Sequence, residues 1–438
     1  MLVVGNGRLI SRDETVPYLE DGAVAVDGGL IAAVGPTAAL RAAYPAASFL
    51  DARRGLIMPG LINAHTHLYS SLARGLSLPG FAPRDFPAIL AGLWWRLDRA
   101  LTGEDIRYSA LVGLMDCIKN GVTCVFDHHS SPGAVEESLF VIGEAVREAG
   151  VRACLCYEVS DRDGTGPMSL AIRENVDFIR HADRDADGLV RGMFGLHASL
   201  TLSDATLDLC AAQAEGRATG YHVHVAEAAA DVDASLRLFG RRPVERLAAF
   251  GLLGPLSLAA HCVHVDHAEM DVLRANGARV VHNPLSNMNN AVGAAPVPAM
   301  LARGLTVGLG TDGYRADMLE SARAAQLLQR HALGDPAAGS EAFSMLLAAN
   351  PAIAAVNFPH PVGRLVPGAY ADLIVCEYDP PTPLTNADGH LLFGLSGRAV
   401  ETTVIAGRVV MERRRLVLDE AAILARAREL SARLWQRL

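Results

Sequence analysis

An α/β barrel with parallel strands is the fold this sequence predicts, on three observations. Residues 56–355 alternate short apolar runs with longer Ala/Leu-rich stretches, the pattern of strands joined by crossover helices. The strand candidates are eight: 61–65, 122–127, 152–158, 191–197, 221–225, 257–261, 279–282 and 306–311. Eight is the number that closes a TIM-like (β/α)8 ring. Polar residues able to bind metal or move protons stand at the C-terminal ends of these runs, the end at which such barrels carry their sites.

The chain ends read differently. Residues 1–55 break into short strands separated by turns, with Asp27-Gly28-Gly29 as a hairpin signal between two apolar runs. The same texture returns at Ala371–Glu377 and from Val400 to Val410, with Ala406-Gly407-Arg408 as a second hairpin candidate. Residues 419–436 have the spacing of a closing amphipathic helix. Ala88 to Leu101 is a helical pattern holding Trp94 and Trp95, in a long excursion after the first barrel strand. Adjacent aromatics on a helix are most often core; in this excursion they are equally placed to lid a flat ring.

Bulk properties exclude several classes. The formal net charge of the 438 residues is -9, and no basic cluster is denser than Arg413-Arg414-Arg415, so a nucleic-acid partner is not expected. No charge-free apolar run approaches about 18 residues, so neither a membrane span nor a signal peptide is expected. The seven cysteines are an odd number scattered inside apolar runs, which fits reduced, buried thiols and a cytoplasmic location.

The chemistry concentrates in histidines and carboxylates at strand ends. His65 and His67 flank Thr66 at the end of the first run. Residues two apart on a strand share a face, roughly 7 Å apart along it, so both can close on one cation. His224 ends the fifth run, although His222 shares its face and spacing alone leaves the two open; the position nearer the strand end is preferred. His261 ends the sixth run, as a further ligand or as a group that orients water. Asp312 ends the eighth; alone it would read as an Asp-Gly turn. Three imidazoles and a carboxylate around an open position make a catalytic transition-metal set, and the expected activity is that of a metal-dependent hydrolase. Glu227, three residues past His224, is placed to shuttle protons at the barrel mouth. His282 precedes an amide-rich loop containing Asn287, and His197 ends the fourth run; these, with Trp95 and Asp98 in the excursion, are the candidate substrate contacts. His128 and His129 are expected to pack in the core or rim. Loops 69–100, 158–168 and 283–296 are expected to hold the specificity.

Taken together, these segments resemble the amidohydrolase superfamily in its deaminase/chlorohydrolase branch. Pro59-Gly60-Leu61-Ile62-Asn63-Ala64-His65-Thr66-His67, His224-Val225-Ala226-Glu227, Ala260-His261-Cys262, His282-Asn283-Pro284-Leu285-Ser286-Asn287 and Gly310-Thr311-Asp312-Gly313 follow its order and spacing. Leu93–Leu101, Cys156–Asp163, Leu196–Asp204 and His390–Gly394 are most similar to the SsnA-type aminohydrolases. The resemblance spans essentially the whole chain. It implies a metal-binding barrel over residues 58–361 beside a small β-sandwich formed by residues 1–57 and 362–438.

The resemblance further implies His65, His67, His224 and Asp312 as metal ligands, Glu227 as proton shuttle, His261 as the group that orients water, and Asp312 as proton acceptor. Two-metal members of the superfamily bridge their ions with a carbamylated strand lysine. The one lysine here, Lys119, lies at a helix end away from the strand C-termini, so one divalent metal is expected, zinc with Fe2+ as the alternative. The implied reaction is hydrolytic deamination of an amino-substituted purine-, pterin- or triazine-like heterocycle. Chloride release or amide cleavage on the same site is the alternative, and a catalytically silent scaffold is a distant third. A homo-oligomer is expected from the same resemblance.

Overall fold

The computed structural model describes residues 1–185 and 188–438. Eight parallel strands surround its centre: β1 (Leu61–Thr66), β2 (Val122–His129), β3 (Arg152–Tyr157), β4 (Phe194–Ala198), β5 (Tyr221–Val225), β6 (Leu258–His261), β7 (Arg279–His282) and β8 (Val307–Leu309). All residues of β1, β2 and β3 are buried, which is why these runs read as near-continuous and not as alternating.

Regular ladders divide the strands into two groups, β1-β2-β3 continued by Val190–Gly192, and β4 through β8. Two isolated parallel bridges, Val159 with Leu196 and Thr66 with Asp312, join the groups into a ring. At the second seam Thr311 N and Asp312 N both donate to His65 O at 3.0 Å, and His67 N donates to Asp312 O at 3.3 Å. The barrel thus closes through the backbone of residues that also carry its chemistry. The approach requires glycine at position 310: a Cβ there would stand 2.7 Å from His65 O and 2.9 Å from His65 Cβ.

Strands from both chain ends build a second, nine-stranded sheet. Leu56–Pro59 lies between Leu2–Ile10 and Leu373–Cys376 and pairs with both. Both hairpin signals form tight turns: Gly28 and Gly29 have φ of 55° and 87°, Ala406 and Gly407 of 48° and 73°, and the flanking residues pair as Asp27 with Leu30 and Ile405 with Arg408. Positive φ at both turn residues matches the twist of the flanking strands. The closing helix runs Glu420–Gln436. Its Trp435 Nε1 donates to Leu72 O at 2.8 Å, pinning the start of the excursion after β1. Among the described residues, no helix is long and apolar enough to cross a membrane.

One buried ion pair ties the sheet to the barrel. Arg152, at the start of β3, meets Asp372 in a two-pronged contact of 2.8 and 3.1 Å, with both residues essentially unexposed. The guanidinium also lies over the Tyr370 ring, 3.5 Å from its centroid. Asp372→Ala leaves that buried cation unpaired and should lower unfolding free energy by about 3–5 kcal/mol. Urea denaturation measures this; a loss below about 1 kcal/mol would show that the pair does not hold the two parts together.

Candidate active site

Hydrogen bonding at the strand ends determines which ring nitrogens face the centre. A carbonyl oxygen only accepts, so His67 Nδ1, 2.6 Å from His128 O, and His224 Nδ1, 2.9 Å from His197 O, both donate. Their Nε2 atoms turn inward and stand 3.3 Å apart. His65 Nδ1 contacts His222 Nε2 at 2.8 Å, and its own Nε2 is buried with no hydrogen-bond partner. Asp312 Oδ1 lies 2.9 Å from His67 Nε2 and 3.8 Å from His65 Nε2. Asp312 Oδ2 accepts from the Ser286 hydroxyl. Donor atoms of His65, His67 and His224 fall within 4.8 Å of one another, and so do those of His65, His261 and Asp312.

Three inward imidazole nitrogens, one of them orphaned, beside a carboxylate fit a divalent transition metal. The geometry also separates His222 from His224. His224 faces the cluster, whereas His222 supports the far side of the His65 ring, the usual arrangement behind a metal-bound histidine. Lys119 is remote from this centre and pairs with Glu420 on the closing helix.

The second half of the site faces the cluster. Asn287 Nδ2 donates to His261 Nδ1 at 3.0 Å, leaving the His261 proton on Nε2, 3.5 Å from Glu227 Oε2. Asn290 Nδ2 donates to Glu227 Oε1 at 3.2 Å. Burial, then the charges of Asp312 and Asp231, push the Glu227 carboxyl well above the usual carboxylate range, which favours its protonated form. Burial pulls His261 down to about 4, keeping it a neutral imidazole. Burial and the surrounding histidines likewise hold His65 and His224 well below the ordinary value. For His67 burial acts downward, but the hydrogen bond and charge of Asp312 carry it up to about 9. The same contact holds Asp312 below its usual range, against the upward pull of burial.

Backbone strain gathers at these strand ends. Ala226, His261, Cys262 and Asp312 are non-glycine residues with φ between 47° and 73°. Such conformations cost of order 1–3 kcal/mol each and persist where the surrounding structure enforces them.

Above the cluster opens a cleft of about 490 Å³, walled by Tyr69, Phe86, Leu90, Trp94 and Trp95 and floored by His67, His224, Glu227, His261 and Asp312. Phe86–Ile89 and Trp95–Ala100 are α-helical, and Leu90–Trp94 between them is a π-turn. The helical pattern expected from Ala88 to Leu101 is therefore present with a π-turn inside it, a feature common near functional sites. Of the five side chains expected against substrate, Trp95 and His197 line the cleft. Asp98, His282 and Asn287 lie behind its wall. Asp98 is paired with Arg162 and accepts from Ser130 Oγ at 3.1 Å; Asn287 supports His261; His282 is fully buried. All three are polar residues turned toward protein partners or core, which spacing along the chain does not reveal. His128 and His129 are fully buried. Glu158 and Asn290 also line the cleft; both lie in loops expected to hold the specificity, 158–168 and 283–296, and Glu158 has the further signal of standing one residue past a strand.

A model of the amidohydrolase family matches residues 56–410. The chain belongs to the amidohydrolase family. A 5-methylthioadenosine/S-adenosylhomocysteine deaminase of Pelotomaculum thermopropionicum is 34% identical over 426 residues, covering 95% of each chain. A 5'-deoxyadenosine deaminase of Methanosarcina acetivorans is 30% identical, covering 98% of this amidohydrolase and 96% of that protein. Among solved structures, an adenosine deaminase from Xanthomonas campestris with bound zinc superposes with a TM-score of 0.89 at 25% identity, over 99% of this chain and 98% of that one.

Proposed function

We propose that this amidohydrolase is a hydrolytic deaminase of an amino-substituted nitrogen heterocycle. The observation that carries the reading is a buried Glu227 carboxyl 3.5 Å from His261 Nε2 beside an inward imidazole–carboxylate cluster, all on the floor of one aromatic cleft. The deaminase names of relatives covering nearly the whole chain support it.

His65, His67, His224 and Asp312 would hold one divalent cation, with zinc favoured by the zinc in the Xanthomonas structure. Such a cation supplies an activated water at neutral pH, lowering its pKa from about 16 toward 7. The side chains do the rest. Asp312 takes the proton released as the water oxygen bonds to the amine-bearing ring carbon. His261 Nε2–H donates to that oxygen as negative charge develops. Glu227 protonates the adjacent ring nitrogen. The carbon–nitrogen bond then breaks, its electron pair and the Asp312 proton leaving in ammonia, while the remaining hydroxyl proton returns to the Glu227 carboxylate as the carbonyl of a cyclic amide forms. Phe86, Trp94 and Trp95 exclude water and stack on the ring.

The test is coupled detection of ammonia from metal-analysed protein offered aminopurines, aminopterins, aminopyrimidines and aminotriazines, with chloride release followed in parallel on chlorinated rings. Ammonia from one ring class is expected. Chloride without ammonia would replace the deaminase reading by a dehalogenase one.

A further inference from the structure

The mouth of the cleft carries two arginines that neither the metal set nor the proton transfers employ. Arg74 follows the 3-10 turn Leu68–Ala73 after β1, and Arg315 stands shortly beyond Asp312, after β8. Both line the cleft, with side chains 39% and 52% exposed. The strands that carry them are neighbours at the barrel seam, and their loops pack together there. Ser70 Oγ donates to His67 O at 2.8 Å and lies 3.4 Å from Gly313 O. A Cβ on Gly313 would stand 3.4 Å from the Trp94 ring. Asp116, on the helix Gly103–Lys119, bridges the two loops. Its Oδ2 accepts from Arg74 Nη2 at 3.1 Å and from Ala316 N at 3.2 Å, and its Oδ1 lies 3.9 Å from Arg315 Nε.

The protein uses little of what this pair offers. A guanidinium presents a planar fork of N–H donors, yet among the described residues the two make one side-chain hydrogen bond between them, Arg74 to Asp116. Two cations against one carboxylate leave a single positive charge on this side of the mouth. The cleft carboxylates outside the metal set lie elsewhere, Glu158 after β3 and Glu227 and Asp231 after β5. Of these, Glu158 stays ionised, because His197, His128 and Arg162 hold it well below the usual range against the pull of burial. The cleft is therefore polarised, positive at the seam of β8 and β1 and negative beyond β3. Its volume of about 490 Å³ is in the range that takes drug-sized ligands, which leaves room beyond a one- or two-ring heterocycle. Arg315 Cα lies at most about 11 Å from Asp312 Cα, a length that a ring and a short tail can span.

We propose that Arg74 and Arg315 form a subsite for a carboxylate that the substrate's heterocycle carries on a short flexible tail. Guanidinium forks match the paired oxygens of a carboxylate, and one carboxylate brings the net charge of the group to zero. A phosphate monoester, with a charge of about -1.5 to -2 at neutral pH, would over-compensate it. The inference rests on the deaminase reading above and adds the class of substituent that the ring bears.

Binding tests it apart from turnover. Metal-loaded Glu227→Gln protein is titrated calorimetrically with matched pairs: adenine-9-acetic and adenine-9-propionic acids against 9-ethyladenine, pterin-6-carboxylate against 6-methylpterin, and adenosine 5'-monophosphate against adenosine. Each comparison stays within one ring, so the ring preference itself drops out. In at least one pair the carboxylated member should bind about 10-fold tighter, the low end for charge-assisted contacts because both arginines are partly exposed. That preference should shrink to within about twofold when Arg74→Gln and Arg315→Gln are added, and also at about 1 M NaCl, where charges are screened beyond about 3 Å. Carboxylated rings that bind no better than their neutral partners, or not at all, overturn the inference. So does a preference that survives loss of both arginines, which would put the carboxylate on the metal. A phosphate preferred to every carboxylate would overturn the assignment to a carboxylate. Absence of ammonia from every ring counts against the deaminase reading alone, because the binding ratios still decide on the two arginines.

Discussion

Glu227→Gln protein is expected to bind its metal normally and to turn over about 10²- to 10⁴-fold more slowly than wild type, the range for losing a positioned general acid–base group. Glutamine keeps the size of the side chain and an oxygen that can still accept from Asn290, so the cleft should keep its shape. What disappears is a transferable proton, whose place on the carboxyl burial and the nearby Asp312 and Asp231 favour. The loss should fall on kcat, with KM within a few-fold of wild type, because the proton moves only as the ring nitrogen becomes basic. Steady-state kinetics beside metal analysis checks this. Unchanged kcat would remove Glu227 from the chemistry, and lost metal would make it a ligand.

The second large effect separates two histidines that share one strand face. His224→Ala removes an inward Nε2 and should abolish stoichiometric metal binding together with activity. His222→Phe removes only the partner of His65 Nδ1, and should weaken metal affinity by about 10- to 100-fold while leaving binding detectable, as expected for a residue that orients a ligand. Metal content after dialysis against a graded chelator series measures both. Equal losses in the two proteins would mean that His222 ligates directly.

These substitutions mark where reading along the chain ends. The pair His65 and His67, the Glu227 that follows the fifth strand, and Asp312 after the eighth were all legible, because a strand sends alternate side chains to one face and parallel barrels carry polar residues at one end of their strands. Both hairpins were legible from Gly28-Gly29 and Ala406-Gly407, whose φ values match the turn chemistry. His222 and His224 obey the same alternation, so periodicity alone left them open. Their surroundings diverge because one ring is turned toward the imidazole–carboxylate cluster and the other lies beneath His65. Asp98 has the composition of a cleft residue but is paired with Arg162, 64 positions away. Glu158 depends on that pairing in turn, since Arg162 helps to keep it ionised.

By itself, then, the sequence determined the residue types of the site, the strands that carry them and the parallel barrel that gathers them, because these follow from local periodicity and from the side chains a transition metal requires. Only the tertiary structure decided ring orientation, protonation and which polar groups face the cleft. Each of those depends on partners distant in sequence: His128 O behind His67, His197 O behind His224, Asn290 on Glu227, and the seam at which Asp312 meets His65. Hydrogen bonds of that kind arise only once the ring has closed.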